Sequence, residues 1–289
     1  MDQITEHVYV HQDSRDTNLG VIITADRPIL VDSPMLPADA RQWRDAIQRL
    51  SLARPLYIIN SDHHIGHALG NWAFPDTPAI AHRHAAHLML EKYDSTFRSR
   101  LVDSFRATEP EVAADLETIA MPRPRLGVVD EMELNIGDLL IELIHVGGHT
   151  PGTLMVRVPA DDVVFTGDVV VQGRYPGLSD ANSLQWLAAL EKIVRLHARY
   201  IVPGHGQSAT IQTLQDIDGF IRYIRESVSA YYATGLSRKD VVSRIRAVEG
   251  FTIEDSDQAR SEQRLKSSVQ RVYDELKERD KEIEKARSD

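Results

Sequence analysis

The segment Asp62-His63-His64-Ile65-Gly66-His67 places one carboxylate and three imidazoles within six residues, directly behind the apolar run Pro55-Leu56-Tyr57-Ile58-Ile59. The run reads as a short buried strand, and the glycine-containing stretch after it as a loop opening into a helix. A fold that accommodates both puts the cluster at a strand end, where the sheet sets the backbone direction and side chains of one turn can converge on a cation. Histidine and aspartate are borderline-to-hard ligands, suited to zinc, iron or manganese. The chain has no cysteine, which removes thiolate ligands, disulfides and cysteine nucleophiles together.

Length and charge narrow the field further. The 289 residues suffice for a substantial core in one large domain, or one domain with a helical appendage. A formal charge of −10 disfavours nucleic acid as a partner, because phosphate binding rests on clustered lysine and arginine. The N-terminus carries no basic leader, and nowhere do about eighteen apolar residues run together. A soluble, cytoplasmic chain with no membrane partner is expected.

In order, Val8–Val10, Leu19–Thr24 and Ile29–Val31 read as strands of an antiparallel meander. Asp32 ends the third, as a turn residue before Ser33-Pro34 or as a supporting group of the site. Ala40, Trp43, Ile47 and Leu50 recur at helical spacing, predicting a helix from Pro37 to Leu50. Beyond the motif, Ala79-Ile80 is a further short strand. His82, His84 and His87 follow at the start of a helix, where Leu88, Met89 and Leu90 look like packing and no carboxylate shares their spacing before Glu91. Residues 92–125 read as helices outside the main sheet.

A second β-rich series covers Leu126–Val129, Glu133–Ile136, Leu139–Ile144, Thr153–Val158 and Val163–Phe165. A helix over Leu184–Leu196 follows, with Leu187, Leu190, Ile193 and Val194 expected inside, and then the strand Tyr200–Val202. Between and after these runs lie Gly148-His149-Thr150-Pro151-Gly152, Thr166-Gly167-Asp168 and Pro203-Gly204-His205-Gly206. His149, Asp168 and His205 each follow an apolar strand and sit among glycines, which permit close approach to a common centre. Arg174 and Tyr175, after the Asp168 strand, read as exposed loop residues or, alternatively, as groups that meet a substrate.

With these four segments the chain resembles the metallo-β-lactamase superfamily over about residues 4–208. The resemblance implies an α/β (α+β) fold, a four-layer αβ/βα sandwich of two β-sheets flanked by helices. The family's first motif, His-x-His-x-Asp-His, aligns with Asp62-His63-His64-Ile65-Gly66-His67. Asp62 therefore stands for the first histidine and Gly66 for the aspartate, while the later motifs match. By that resemblance two divalent ions, Zn2+ first and Fe or Mn as alternatives, are ligated by Asp62, His64, His67, His149, Asp168 and His205. The first ion falls to Asp62, His64 and His149 and the second to His67 and His205, with Asp168 bridging. Asp62 and Asp168 are the carboxylates with a catalytic part.

The activity implied is hydrolysis of a carbonyl substrate (ester, thioester, lactone or β-lactam) by metal-activated hydroxide. Mononuclear iron chemistry of the sulfur-dioxygenase type is an alternative, as is a metal-binding protein without turnover, motivated by Gly66. The partner is then a small-molecule substrate.

Residues 209–289 read as a helical C-terminal extension packed on the catalytic unit of residues 1–208. Leu214, Ile217, Ile221, Ile224, Val228 and Tyr231 form one apolar stripe. Ser237 caps a restarted helix near Arg238. A last helix from about Gln258 to Lys285 carries Leu265, Val269, Val272, Leu276 and Ile283 on one side. A homodimer through this tail is the alternative use of these stripes.

Overall fold

In the computed structural model, which describes residues 1–12, 17–245, 248, 251, 253 and 258–288, two β-sheets lie face to face. The first runs in sequence order through β1 (Asp2–Gln3), β2 (Val8–His11), β3 (Leu19–Ile22), β4 (Ile29–Val31), β5 (Tyr57–Ile59), β6 (Ala79–His82) and β7 (Leu126–Val128). Its β1–β4 part is antiparallel and its β4–β7 part parallel. The second sheet holds β8 (Glu131–Ile136), β9 (Leu139–His145), β10 (Leu154–Val158), β11 (Val163–Phe165) and β12 (Tyr200–Val202). There only β11 and β12 run parallel.

Side-chain alternation along the strands explains the layering. Ile29 and Val31 of β4 point into the space between the sheets, together with Leu143, Val156, Val163 and Phe165 of the second sheet. Leu30 points the other way, onto Trp43 and Ile47 of α1 (Pro37–Leu50). Val164 likewise turns from the first sheet toward α6 (Ser183–Leu196). Burying a side chain of this size contributes about 1.5–3 kcal/mol. Helix, sheet, sheet and helix are thus four layers cemented by three apolar seams.

Short α2 (Ile65–Ala68) follows the histidine cluster, and α3 (Arg83–Lys92), α4 (Ser95–Arg106) and α5 (Pro110–Thr118) connect β6 to β7. α4 and α5 form a satellite core with Leu69. The fourth layer comprises α6, capped by Asn182, together with α7 (Ile211–Ala233), α8 (Arg238–Arg244) and α9 (Gln258–Ser288). Thr210 and Thr213 close a capping box at the start of α7. Leu214, Ile217, Ile221, Ile224, Val228, Leu265, Val269, Val272 and Leu276 join Trp186 and Leu190 in one continuous core.

Two apolar helix positions, Val194 and Ile283, differ from the sequence reading. Val194 is 40 % exposed: it lies on the same side of α6 as buried Leu187, seven residues earlier, but in the last turn of the helix. Ile283 is 43 % exposed because α9 outruns the core after Leu276, and residues 281–287 are all exposed.

The strand directions prepare a site at one end. β4 and β5 are parallel, so Asp32 and the Asn60–His67 loop leave the first sheet from the same edge. β11 and β12 are parallel, so Asp168 and His205 leave the second sheet together. The Leu154 amide donates to the Ser61 carbonyl at 2.7 Å, and Asn18 donates to the Gly204 and Pro203 carbonyls at 2.8 and 2.9 Å, joining the two sheets at that end.

Candidate metal centre

The loop after β5 is held from both sides. Asn60 and Asn71 face each other through their amides, the Asn71 amide donating to the Asn60 oxygen at 2.8 Å. Asn60 also donates to the His67 carbonyl at 2.8 Å. Within the loop, Asp62 is completely buried and accepts the His64 backbone N–H through Oδ1 at 2.8 Å. Its other oxygen, Oδ2, lies 3.1 Å from His64 Nδ1 and 3.5 Å from His149 Nε2. His64 Nδ1 and His149 Nε2 are 3.2 Å apart. Three ligand atoms from two loops therefore meet within a span of 4.8 Å.

A second triad adjoins the first. Asp168 Oδ1 lies 3.4 Å from His67 Nε2 and 3.4 Å from His205 Nε2, while its Oδ2 lies 3.6 Å from His149 Nε2. The two oxygens of Asp168 thus face the two triads separately. The approach requires glycine at Gly204, where a Cβ would stand 2.0 Å from Asp168 Oδ1. Gly148, at φ +85°, lets His149 pass the backbone of Trp186, which a Cβ there would meet at 2.8 Å.

Each of three ring nitrogens turned away from the triads is held by the protein. His67 Nδ1 is 2.8 Å from Asp32 Oδ2, His149 Nδ1 is 3.1 Å from the Gly177 carbonyl, and His64 Nε2 is 3.2 Å from Asp180 Oδ2. These acceptors call for N–H on the outer nitrogens and leave lone pairs on the inner ones. Asp32 is itself fixed by the Ser61 N–H and hydroxyl, both at 2.7 Å, and its backbone is left-handed at φ +60°. It serves both as turn residue and as a support of the site.

The electrostatics favour a cation. Burial alone would raise the Asp62 carboxyl, but the fields of His64 and His67 hold it far below the usual carboxylate range. Asp168 is likewise pushed up by burial and carried well below that range by His205 and His67. Burial pushes His64 down, yet the Asp62 carboxylate and the bond to Asp180 lift it to about 10. His149, beside it, is kept low by burial and by the His64 charge. The centre thus keeps its carboxylates ionised and draws positive charge to His64. Asp168 Oδ1 is buried and receives no well-formed hydrogen bond, although two imidazole nitrogens stand 3.4 Å away. Buried acceptors of this kind are ordinarily satisfied, and a divalent cation fits between these oxygen and nitrogen donors.

A further group, His63, His64 and Asp180, also brings ligand atoms together. There the Lys92 ammonium already stands 3.4 Å from His63 Nε2 and 3.6 Å from Asp180 Oδ1, taking the place a cation would have. Tyr93 hydrogen-bonds the His63 carbonyl, so the end of α3 reaches over the histidine loop. His82, His84 and His87 lie elsewhere. His82 stacks on His145 at 3.8 Å and donates to the Val129 carbonyl, and His87 pairs with Glu91 on the surface.

The centre opens into a pocket of about 240 Å³ whose walls include Gly66, Val171, Arg174, Tyr175, Arg264 and Ser267. Arg174 is half-buried and Tyr175 only 7 % exposed, contrary to the loop-surface reading: the Tyr175 ring packs on Phe220 of α7 at 5.1 Å, and α9 docks on the same loop at Pro176. Asp180, Lys92 and Arg264 carried no signal in the sequence, since none sits in a motif and their relation to the centre arises only on folding.

The family model for the metallo-beta-lactamase superfamily matches residues 13–205. An acyl-coenzyme A thioesterase of Bos taurus is 26 % identical over 214 residues, 68 % of this chain and 75 % of that protein. A metallo-beta-lactamase type 2 of Bacteroides fragilis is 24 % identical over 115 residues, and the chain spans 46 % of its length. Among solved structures, the stereoselective inverting sec-alkylsulfatase Pisa1 from Pseudomonas sp. superposes with a TM-score of 0.72 at 11 % identity. That likeness covers 94 % of this chain and 49 % of the sulfatase, and concerns the fold alone. Among the described residues no helix is long and apolar enough to cross a membrane.

Proposed function

The chain belongs to the metallo-beta-lactamase superfamily, and we propose that it is a metal-dependent hydrolase that holds two divalent ions, zinc foremost, and cleaves an ester or thioester. The observation that carries this reading is the division of Asp168, one oxygen toward Asp62, His64 and His149 and the other toward His67 and His205. Asp62, His64, His149 and Asp168 Oδ2 would hold one ion, and His67, His205 and Asp168 Oδ1 the other. Ions so held would supply water activated at neutral pH and a Lewis acid for a carbonyl oxygen.

The protein's own part is orientation and exclusion. Asp32, Asp180 and the Gly177 carbonyl keep the outer imidazole protons in place, so the inner nitrogens stay available. Gly66 leaves its side of the pocket open where the family carries an aspartate, with only Thr17 Oγ1 within 4 Å of a Cβ built there. Among the described residues no acid outside the ligand set lines the pocket. A leaving group that departs without prior protonation, a thiolate or a stabilised alkoxide, suits such walls better than an amine.

The test is a substrate panel of thioesters, esters, lactones and β-lactams, run with protein reconstituted separately with zinc, manganese and iron. Turnover of a thioester or ester by the zinc or manganese form supports the reading. Stoichiometric metal with no hydrolysis of any panel member would overturn it, and oxygen consumption by the iron form alone would point to oxidative chemistry.

A further inference from the structure

α9 lies beyond the residues matched by the family model, yet it forms one wall of the pocket over the metal centre. Its docking is specific. Ser268 Oγ donates to the Pro176 carbonyl and accepts from the Leu178 N–H, both at 3.3 Å. Arg271 Nε donates to the Ala181 carbonyl at 2.7 Å, and Glu275 accepts the Ser183 N–H at 2.9 Å. Val269 and Val272 are fully buried beneath these contacts. The helix is thereby locked to the 176–183 segment, which also supplies the Gly177 carbonyl to His149 and Asp180 to His64.

This lock brings Arg264 of α9 to the same pocket as Arg174 of the preceding loop. Among the described residues that line it, and apart from the ligand residues, Arg264 and Arg174 are the charged ones, in a chain with a formal charge of −10. Both are half-buried, which weakens solvent screening of their charge. Ser267 lines the pocket from the same helix face as Arg264, its hydroxyl donating to the Arg264 carbonyl at 3.0 Å. Each guanidinium has five N–H donors and can hold a protein contact and an oxyanion together.

We propose that Arg264 and Arg174 form an oxyanion subsite, so that the substrate is an ester or thioester bearing a carboxylate or phosphate away from its scissile carbonyl. Val171 and Tyr175 add apolar lining to the same pocket. The subsite acts by binding and orientation, and it holds the charged end while the carbonyl meets the centre. The substrate assignment rests on the hydrolase reading given above; the anion-binding assignment does not.

Two matched pairs test it on the zinc-loaded full chain: 4-nitrophenyl acetate against mono-4-nitrophenyl glutarate, and acetyl-N-acetylcysteamine against acetyl-phosphopantetheine. The anionic member of at least one pair should be preferred, and which pair responds separates carboxylate from phosphate. In Arg264→Gln and Arg174→Gln the anionic-to-neutral ratio of kcat/KM should fall at least tenfold, chiefly through KM, with partial recovery in Arg264→Lys. Equilibrium binding of glutarate and inorganic phosphate, read by calorimetry, should weaken at least tenfold in the double variant, whose melting temperature checks that it is folded. Equal dissociation constants in wild type and a folded double variant would overturn the subsite. Loss of anion binding without turnover of any ester or thioester supports the subsite and sinks the hydrolase reading.

Discussion

The imidazole of His64 is gripped at both ends, with Nε2 3.2 Å from Asp180 Oδ2 and Nδ1 3.1 Å from Asp62 Oδ2. The first carboxylate fixes the tautomer and the second shares the centre. Asp180→Ala should therefore weaken metal binding by about 10–100-fold while leaving all proposed ligands in place. Asp180→Asn keeps an oxygen acceptor and should lose less. Competition with a chromophoric chelator measures both, and affinities equal to wild type would show that the contact does not position His64.

In the motif register read from the sequence, Asp62 takes the place of the family's first histidine. Asp62→Ala should empty the centre next to His64 and His149, lowering the metal-to-protein ratio by about one ion after equal dialysis. Asp62→His should retain that ion with altered activity. Elemental analysis decides it, and unchanged stoichiometry in Asp62→Ala would reduce Asp62 to a turn residue capping the His64 N–H.

Gly66 faces the pocket with only the Thr17 hydroxyl near, at 3.3 Å from a built Cβ, so Gly66→Asp should be tolerated after a shift of a few tenths of an ångström. The added carboxylate should tighten binding of the ion assigned to His67 and His205 by at least tenfold. Stepwise zinc titration gives the two affinities, and an unaltered weaker step would mean that the side chain does not reach the centre.

The tail helices share their core with α6, so truncation after Ser208 should uncover Trp186 and Leu190 and yield aggregated or less stable protein. Leu265→Ala, at a site 2 % exposed, should cost about 2–5 kcal/mol in urea unfolding. A soluble truncated chain with unchanged melting would contradict this.

His82 is held down to about 4, by burial first and then by the neighbouring His145. Its folded value lies below the unfolded value near 6.5, so the unfolded chain binds the extra proton between these limits. Its contribution is complete above about pH 6.5 and is lost as pH falls toward 4. Metal-free protein should melt progressively lower across that window, and His82→Gln should reduce the slope, with His63, also low through burial, keeping part of it. A slope identical in wild type and variant would discard His82 as the source.

Much of this protein is written locally. The alternation of Ile29, Leu30 and Val31, the helical spacing of Ala40, Trp43 and Ile47, and the glycines around His149 and His205 are short-range patterns, and each states its element without reference to distant chain. The four strand-end segments and the family they resemble follow from such patterns too. Val194 and Ile283 show their limit: periodicity marks an apolar residue, but the extent of the neighbouring surface decides whether it is covered. The resemblance already places Asp168 between two ligand sets, and the sequence leaves Asp32 open between turn and support; the contact of Asp32 with His67, the grip of Asp180 on His64, and the entry of Lys92 and Arg264 were decided by tertiary structure. The His64–Asp180 contact alone joins residues 116 positions apart, through loops whose course depends on how both sheets and α9 pack, and no local spacing encodes that geometry.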